Sequence, residues 1–439
     1  MNVVFRCLLL TLLLATTESQ VASAQFLKNL FGRDEPKPLR KPAPATPRPA
    51  KPMTPAAASP RKASAPPKPK PFEYPDTRRK PRYRVDVLVQ LYLDELVQGT
   101  KSVYKVRIPE KAMPGMNFYE GIKLATDTLR DYYNLDIYIH DVTAAGKSPA
   151  QLTAGGTALD SSDLIIGAIP AAQLQPVAAF AKRRAINFVS ALSPADGGVR
   201  DNPYFTLLQP TLQTHCEWIA KAVSRKYRST KPVIIHRKSV AVDVSARRYL
   251  AGDDSGSYTI LDASAAIRAG GLDAFLDQGS ANVLLVTVLD AGMADSILQS
   301  VARNYPDYTF EVYGMPTWRS VTSFRKSGAF PNLAVNYTAP FYFDASTSSG
   351  QSVARAYQRA FGGKPGDMVY RAFETLHWYG YLLDRYGTVF NDNLADAGSA
   401  GFTRFDVRPR YDRDASLLYN ENKHLYLYRF QGGNFTVEQ

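Results

Sequence analysis

Short apolar runs alternate with longer amphipathic segments over most of this chain, starting near residue 83. The runs predict buried strands at 85–93, 135–139, 164–169, 186–189, 232–235, 283–289 and 308–313. Segments at 116–133, 171–184, 211–227 and 290–304 repeat apolar residues at helical spacing. Strands that alternate with helices of this length form βαβ units, so the pattern predicts parallel sheets covered on both faces. Ligands of such folds bind at the carboxyl ends of the strands.

The positive charge of the chain is concentrated in one N-terminal segment. The formal net charge is +13, but residues 25–84 hold 16 Lys and Arg against 4 Asp and Glu, a net of +12. The residues before this segment carry one charge of each sign, so the residues after Arg84 are left at about +1. A near-neutral globular part argues against a nucleic-acid-binding groove, and no nucleic-acid partner is expected.

Residues 1–24 have the pattern of a cleavable export signal. Arg6 precedes an apolar run at 7–15, and Ala22 and Ala24 supply the small residues expected before a cleavage site. The run is too short to span a bilayer as a helix. No cysteine stands directly after the cleavage site, where a lipid would be attached. We therefore expect a soluble, exported periplasmic protein that begins at Gln25.

Residues 25–84 are expected to form a basic, proline-rich, disordered tether. Between positions 36 and 81 lie 15 of the 30 prolines. Such a composition has too little apolar surface to offset the entropy of ordering, so the remainder is expected to fold without it. Its positive charge predicts attraction to an anionic cell-wall or membrane surface.

Beyond the tether, short motifs follow one another in a characteristic order. They are Met113-Pro-Gly115 with Tyr119-Glu-Gly-Ile-Lys-Leu-Ala125, Asp163-Leu-Ile-Ile-Gly167, the segment 179–194, Pro203-Tyr-Phe-Thr206, Tyr370-Arg-Ala-Phe-Glu-Thr-Leu376 and Gly401-Phe-Thr-Arg-Phe405-Asp406. In this order the motifs resemble the type I periplasmic solute-binding proteins, specifically the branched-chain amino-acid-binding receptors of ABC transporters.

The resemblance implies an α/β fold of two doubly wound parallel-sheet lobes joined by three crossings of the chain. Lobe one would comprise 85–210 and 338–415, and lobe two 211–337 and 416–439. A small ligand would bind in the cleft between the lobes, which closes by a hinge motion. The resemblance implies no cofactor and no enzymatic activity.

The implied ligand site lies at strand ends contributed by both lobes. Its candidate residues are Ala168, Pro170, Ser190 and Ser193 in lobe one, and Arg237, Lys238 and Tyr313 in lobe two. Each serine can donate or accept a hydrogen bond to a ligand, although capping of its own strand end is an equal alternative. The two cations would suit an anionic ligand.

The sequence departs from the amino-acid-binding relatives at this site. Those relatives carry hydroxyl side chains in the turn after the third strand, where they hold the ligand carboxylate, but the turn at 168–172 has none. The arginine expected near Thr206 is missing, and Arg408-Pro409 stands where a glycine is expected. The scaffold of the family is thus expected to be intact, while its amino-acid site is altered.

Two classes of function remain open. The five histidines are dispersed without i,i+4 pairs, and the sequence has no Walker loop or nucleophile elbow, so neither a metal site nor an enzyme is indicated. The complete two-lobe pattern favours a receptor that captures a small solute for a membrane permease. The altered turn and the long tether favour an interaction module in cell-envelope assembly, with an envelope protein as its partner and no solute.

Overall fold

The computed structural model describes residues 69–99, 101–103, 108–228, 230–252, 255–344, 346–396 and 403–438. The expected export signal and most of the expected tether lie outside the described residues. No described helix combines the length and the apolar character needed to cross a membrane.

The described regular structure comprises sixteen strands, ten α-helices and seven short 3-10 helices. The strands are β1 (Tyr83–Val89), β2 (Val97–Gln98), β3 (Lys101–Ser102), β4 (Leu135–Asp141), β5 (Leu164–Ala168), β6 (Asn187–Ser190), β7 (Phe205–Leu207), β8 (Val233–His236), β9 (Thr259–Asp262), β10 (Asn282–Val286), β11 (Phe310–Gly314), β12 (Leu333–Ala339), β13 (Val407–Tyr411), β14 (Leu417–Asn422), β15 (Tyr426–Gln431) and β16 (Asn434–Glu438). The helices are α1 (Leu93–Leu96), α2 (Met113–Leu129), α3 (Pro149–Leu152), α4 (Leu174–Arg184), α5 (Leu212–Lys226), α6 (Ala241–Ala251), α7 (Ala263–Ile267), α8 (Ala291–Asn304), α9 (Ser348–Phe361) and α10 (Asp367–Tyr386).

The long strands form two seven-stranded sheets. The first has the order β13-β14-β7-β6-β5-β1-β4 and the second the order β16-β15-β12-β11-β10-β8-β9. Neighbouring strands are parallel in both sheets, except where β13, β15 and β16 pair antiparallel at one edge. The predicted α/β fold with two parallel-sheet lobes is therefore confirmed.

Each sheet has its own hydrophobic core. In β1 the side chains of Val85, Val87 and Val89 join one buried cluster, and Leu88 joins the cluster on the opposite face. This strand is buried on both faces, which explains its nearly continuous apolar sequence. The second sheet packs in a separate cluster that includes β8, β10 and β11. The two lobes are therefore built around separate cores, as in two domains.

Close packing of α2 against α10 fixes the helical layer of lobe one. A Cβ atom at Gly121 would lie 2.3 Å from the carbonyl oxygen of Val369 and 2.7 Å from the Cβ atom of Ala372. Only glycine allows the two helix backbones to approach so closely. This contact holds the first turns of α10 beside the middle of α2.

The chain passes between the two sheets three times. The first passage follows β7, the second follows β12, and the third connects β14 to β15. The third passage differs from the sequence analysis, which assigns 416–439 to lobe two: Asn420 of β14 pairs with Thr206 of β7 in the first sheet. An apolar pattern specifies a strand but not the sheet in which it pairs, because the pairing depends on distant residues.

The residues just before β1 run along lobe one as an extended arm, which we define as residues 69–82. The Tyr74 hydroxyl donates to the carbonyl oxygen of Pro203 at 3.1 Å, and the Thr77 hydroxyl donates to that of Tyr386 at 2.7 Å. Lys80 forms an ion pair with Asp163 at 2.6 Å. These contacts place the end of the expected tether before Tyr74 rather than at residue 84.

Candidate functional site

The two predicted strand ends of lobe one lie side by side. Gly167 of β5 is in register with Ser190 of β6, and the N–H of Ala191 donates to the carbonyl oxygen of Gly167 at 2.9 Å. Ala168 is buried and Pro170 is partly exposed. Ser190 is 0% exposed, and its hydroxyl has no hydrogen-bond partner in the structure. An unpartnered hydroxyl of this kind is uncommon in a protein interior, and the role of Ser190 as a ligand contact stays a prediction.

The Ser193 hydroxyl caps the end of its own strand, which was the alternative to a ligand contact. Its hydroxyl donates to the carbonyl oxygen of Ala195 at 2.8 Å and accepts from the N–H of the same residue at 3.2 Å. Both bonds stay within a turn that directly follows β6. Ser193 therefore organises the backbone at the end of its own strand, as side chains of this type often do.

Arg237 in lobe two already has a buried partner. Its Nε atom forms an ion pair with Asp243 at 2.5 Å, and Asp243 is completely buried. The other oxygen of Asp243 accepts the N–H of Leu289 at 3.2 Å. This carboxylate thus ties the end of β8 to the segment after β10. The neighbouring Lys238 is exposed.

Tyr313 packs inside lobe two. Its side chain is 2% exposed, and its ring lies 6.3 Å from that of Tyr227 in an edge-to-face contact. Burial raises the pKa of Tyr313, so its hydroxyl stays protonated. The structure therefore does not bring Tyr313 together with the two serines of lobe one, and its role as a ligand contact stays a prediction.

A short turn of 3-10 helix, Pro316–Ser320, covers the end of β10. The indole N–H of Trp318 donates to the carbonyl oxygen of Val288 at 2.8 Å, and the Thr317 hydroxyl donates to that of Leu289 at 2.5 Å. Trp318 is fully buried against Gly314, where a Cβ atom would lie 2.2 Å from the indole ring. The backbone acceptors at this predicted strand end are therefore occupied.

The two lobes touch through charged side chains that the sequence analysis did not identify. Arg319 of lobe two forms an ion pair with Asp367, the first residue of α10 in lobe one. Beside this pair, the rings of Tyr337 and Tyr428 stack 5.3 Å apart and 5° from parallel. The sequence does show a charged residue, Asp367, at the start of an apolar helix. It does not show that the partner of Asp367 is Arg319, because the two residues are far apart in sequence.

A second polar network joins the lobes where the chain crosses between them. Glu421 of β14 is completely buried and accepts the backbone N–H of Thr211 at 2.8 Å and the Thr214 hydroxyl at 2.7 Å, at the start of α5. Arg410 and Lys423 contact its other oxygen at 2.8 and 2.5 Å. Despite burial, these two cations and the Thr211 N–H lower the pKa of Glu421 to about 2.

The described residues contain no group of three or more His, Cys, Asp and Glu side chains placed to hold a metal ion. His215 illustrates the structural use of a histidine here. Its Nδ1 atom lies 2.7 Å from the Thr338 hydroxyl, and burial lowers its pKa to about 4, so the ring is neutral at physiological pH.

The chain is similar to known proteins in structure but not detectably in sequence. No protein-family profile matches the chain, and no curated protein matches its sequence. A putative branched-chain amino acid ABC transporter protein from Rhodospirillum rubrum superposes with a TM-score of 0.60 at 12% identity, covering 81% of this chain and 100% of that one. A substrate-binding protein from Desulfitobacterium hafniense in complex with Leu superposes with a TM-score of 0.50 at 14% identity, covering 81% and 100%.

A protein that is not described as part of a transporter shares the fold. Full-length LpoA from Haemophilus influenzae superposes with a TM-score of 0.52 at 12% identity, and the match covers 82% of this chain but only 60% of LpoA. Identities this low show a shared fold and leave the ligand or partner open. The resemblance predicted from the sequence motifs is confirmed at this level: the chain has the fold of the type I periplasmic binding proteins and is a divergent example of it.

Proposed function

We propose that this protein is a receptor of the cell envelope that captures a small solute between its two lobes. The observation that carries the proposal is the nature of the contact between the lobes. Each lobe has a separate apolar core, while the ion pair of Arg319 and Asp367 spans the cleft. Polar contacts of this kind exchange readily with water, so they permit the hinge opening that solute capture requires.

The strand ends of lobe one add support for a site in the cleft. The buried Ser190 hydroxyl lacks a partner among the described residues, and leaving such a group unpaired costs about 1–3 kcal/mol. A ligand that bonds to Ser190 would recover this energy. In the same proposal, residues 1–24 are removed on export, and the basic tether holds the receptor near an anionic envelope surface.

A thermal-shift screen of small metabolites tests the receptor function directly. A ligand present at 100 times its dissociation constant adds about 2.7 kcal/mol to the free energy of unfolding, which is a readily measured shift. A hit is then measured by calorimetry and by small-angle scattering, where closure of the lobes reduces the radius of gyration. A broad screen without any hit would contradict the proposal.

An interaction module in envelope assembly is the second candidate. It is favoured by the internal use of Ser193 and Arg237, two of the side chains foreseen for ligand contact. Full-length protein carrying an affinity tag distinguishes the two. If the tagged protein specifically retains one envelope protein and no solute in the screen binds, the interaction module is supported and the receptor function is excluded.

A further inference from the structure

Strand β4 forms one edge of the lobe-one sheet, and half of its backbone points away from that sheet. Among the described strands it pairs with β1 alone. The Tyr83 N–H donates to the carbonyl oxygen of Asn134 at 2.9 Å, and the Val142 N–H donates to that of Val89 at 3.0 Å. Alternate residues of a strand bond to a given neighbour. The even-numbered residues of β4 therefore face β1, and the odd-numbered residues face outward.

Two of the outward residues, Ile137 and Ile139, keep both backbone groups free. The outward groups on either side of them are partly used, since the Leu135 N–H donates to the carbonyl oxygen of Tyr133 at 3.1 Å and the Asp141 carbonyl oxygen accepts the N–H of a following turn at 3.2 Å. The N–H and carbonyl groups of Ile137 and Ile139 have no protein partner in the described part of the chain. A row of such groups is a template for another strand.

This edge lacks the features that usually protect a strand from pairing. Strand β4 runs for seven residues without proline or bulge and in continuous register with β1. Its ionisable side chains Asp136 and His140 are already engaged, with Arg82 at 2.9 Å and with Asp86 at 2.7 Å. By contrast, β13 at the opposite edge of the same sheet contains Pro409 and a break in register. Both features discourage the addition of a strand.

The free groups of β4 are complementary to those of a second copy of the same strand. In an antiparallel pair with the two Tyr138 residues opposite each other, Ile137 of each copy lies opposite Ile139 of the other. Each of these pairs then exchanges both of its backbone hydrogen bonds, and every free group is used. A shift of two residues in either direction would require the Leu135 N–H or the Asp141 carbonyl oxygen, which are engaged within the chain.

The side chains on both faces of β4 suit the same register. Three apolar side chains pack against the lobe-one core on one face, those of Leu135, Ile137 and Ile139. Pairing would bring these apolar rows together, because opposite residues of an antiparallel pair share a face. On the other face, Asp136 would lie opposite His140, and the Tyr138 rings would meet. Tyr138 is 44% exposed, with the Arg84 guanidinium carbon 3.8 Å from its ring center. No like charges oppose each other in this register.

We propose that this protein forms a symmetric dimer in which two β4 strands pair antiparallel about Tyr138 and join the lobe-one sheets into one. The occupant of the edge is thus a second copy of this chain. The interface is isologous and closed, so association stops at two copies. It does not depend on the receptor function, because lobe two takes no part in the strand pairing. A single pair of strands buries a small area, so the dimer should dissociate on dilution.

Disulfide formation in Tyr138→Cys tests the register directly. The Cα atoms of a non-hydrogen-bonded antiparallel pair lie about 4.5 Å apart, within the range of about 4.4–6.8 Å that a disulfide spans. A chain starting at Gln25 otherwise holds only Cys216, which is buried. With copper-phenanthroline in air, Tyr138→Cys should form a covalent dimer on non-reducing electrophoresis. Tyr249→Cys, at an exposed tyrosine of α6 in lobe two, is the matched control and should stay monomeric. Absence of the covalent dimer, or equal cross-linking of both variants, would overturn the proposal.

Sedimentation velocity over a range of concentrations tests the association without cross-linking. The original chain should shift from monomer to dimer as its concentration rises. Tyr138→Lys places two like charges opposite each other at the symmetry axis and should weaken the dimer at least about tenfold. Tyr249→Lys should sediment as the original chain does, and circular dichroism checks that each variant is folded. A monomer at every concentration of the original chain would contradict the proposal, as would equal association of the original chain and folded Tyr138→Lys.

Discussion

The buried carboxylate of Glu421 should contribute strongly to stability, because it joins the lobe-one sheet to the first helix of lobe two. Its pKa falls from the usual 4.5 to about 2 in the folded protein. At about 1.4 kcal/mol for each pKa unit, this corresponds to about 3 kcal/mol of stabilisation at neutral pH. In Glu421→Gln, the amide nitrogen would face the cations of Arg410 and Lys423, which lose their counterion. We therefore expect a loss of about 3 kcal/mol, in the range found when buried ion pairs are broken.

The pH dependence of this loss has a definite sign. A carboxylate whose pKa is depressed by folding stabilises the protein fully above its unfolded pKa, and the contribution disappears as the pH falls through the folded pKa. The difference in unfolding free energy between the original chain and Glu421→Gln should therefore be largest above about pH 5. It should shrink steadily between about pH 5 and pH 2.

Urea unfolding at several pH values, followed by circular dichroism, measures this difference. Glu217→Gln is the matched control, since Glu217 is an exposed carboxylate on α5, and its replacement should change stability by less than about 0.5 kcal/mol. Two results would refute the reasoning: a loss below about 1 kcal/mol in Glu421→Gln at pH 7, or a loss that stays constant down to pH 2.

Three further predictions concern the arm and two sites in the lobes. A chain that starts at Pro69 should unfold at the temperature of the mature protein. One that starts at Tyr83 should unfold several degrees lower in a calorimeter, because each lost hydrogen bond of the arm contributes about 0.5–1.5 kcal/mol; equal temperatures would show that the arm is not packed. Ser190→Ala should leave the ligand-free unfolding temperature unchanged or higher, since the hydroxyl has no partner in the described part of the chain, and a loss above about 1 kcal/mol would reveal one. Gly314→Ala should cost about 1–3 kcal/mol in urea unfolding, because the new methyl group would overlap the buried Trp318 ring, and an unchanged midpoint would contradict that packing.

Strand positions in the sheet centres followed from the apolar pattern. The runs predicted at 164–169, 232–235 and 308–313 correspond to Leu164–Ala168, Val233–His236 and Phe310–Gly314. Central parallel strands are buried on both faces, so their sequences are almost uniformly apolar and easily recognised. Leu333–Ala339 was not predicted, although it is buried throughout, because Asn336 and Thr338 interrupt its apolar run. The Asn336 amide is satisfied by the carbonyl oxygens of Val312 in the neighbouring strand and of Ala334 in its own strand.

By itself, the sequence determined the fold class and the approximate position of the central strands, because both follow from local periodicity and motif order. Only the tertiary structure decided which polar side chains, at the strand ends and elsewhere, already have a hydrogen-bonding partner. Arg237 is paired with Asp243, whereas Arg371 lacks a hydrogen-bond acceptor among the described residues. Its nearby carboxylate Asp367 pairs with Arg319, 48 positions earlier in the chain and in the other lobe. Hydrogen bonding depends on distances of a few ångströms between residues far apart in sequence, and no local pattern encodes those distances.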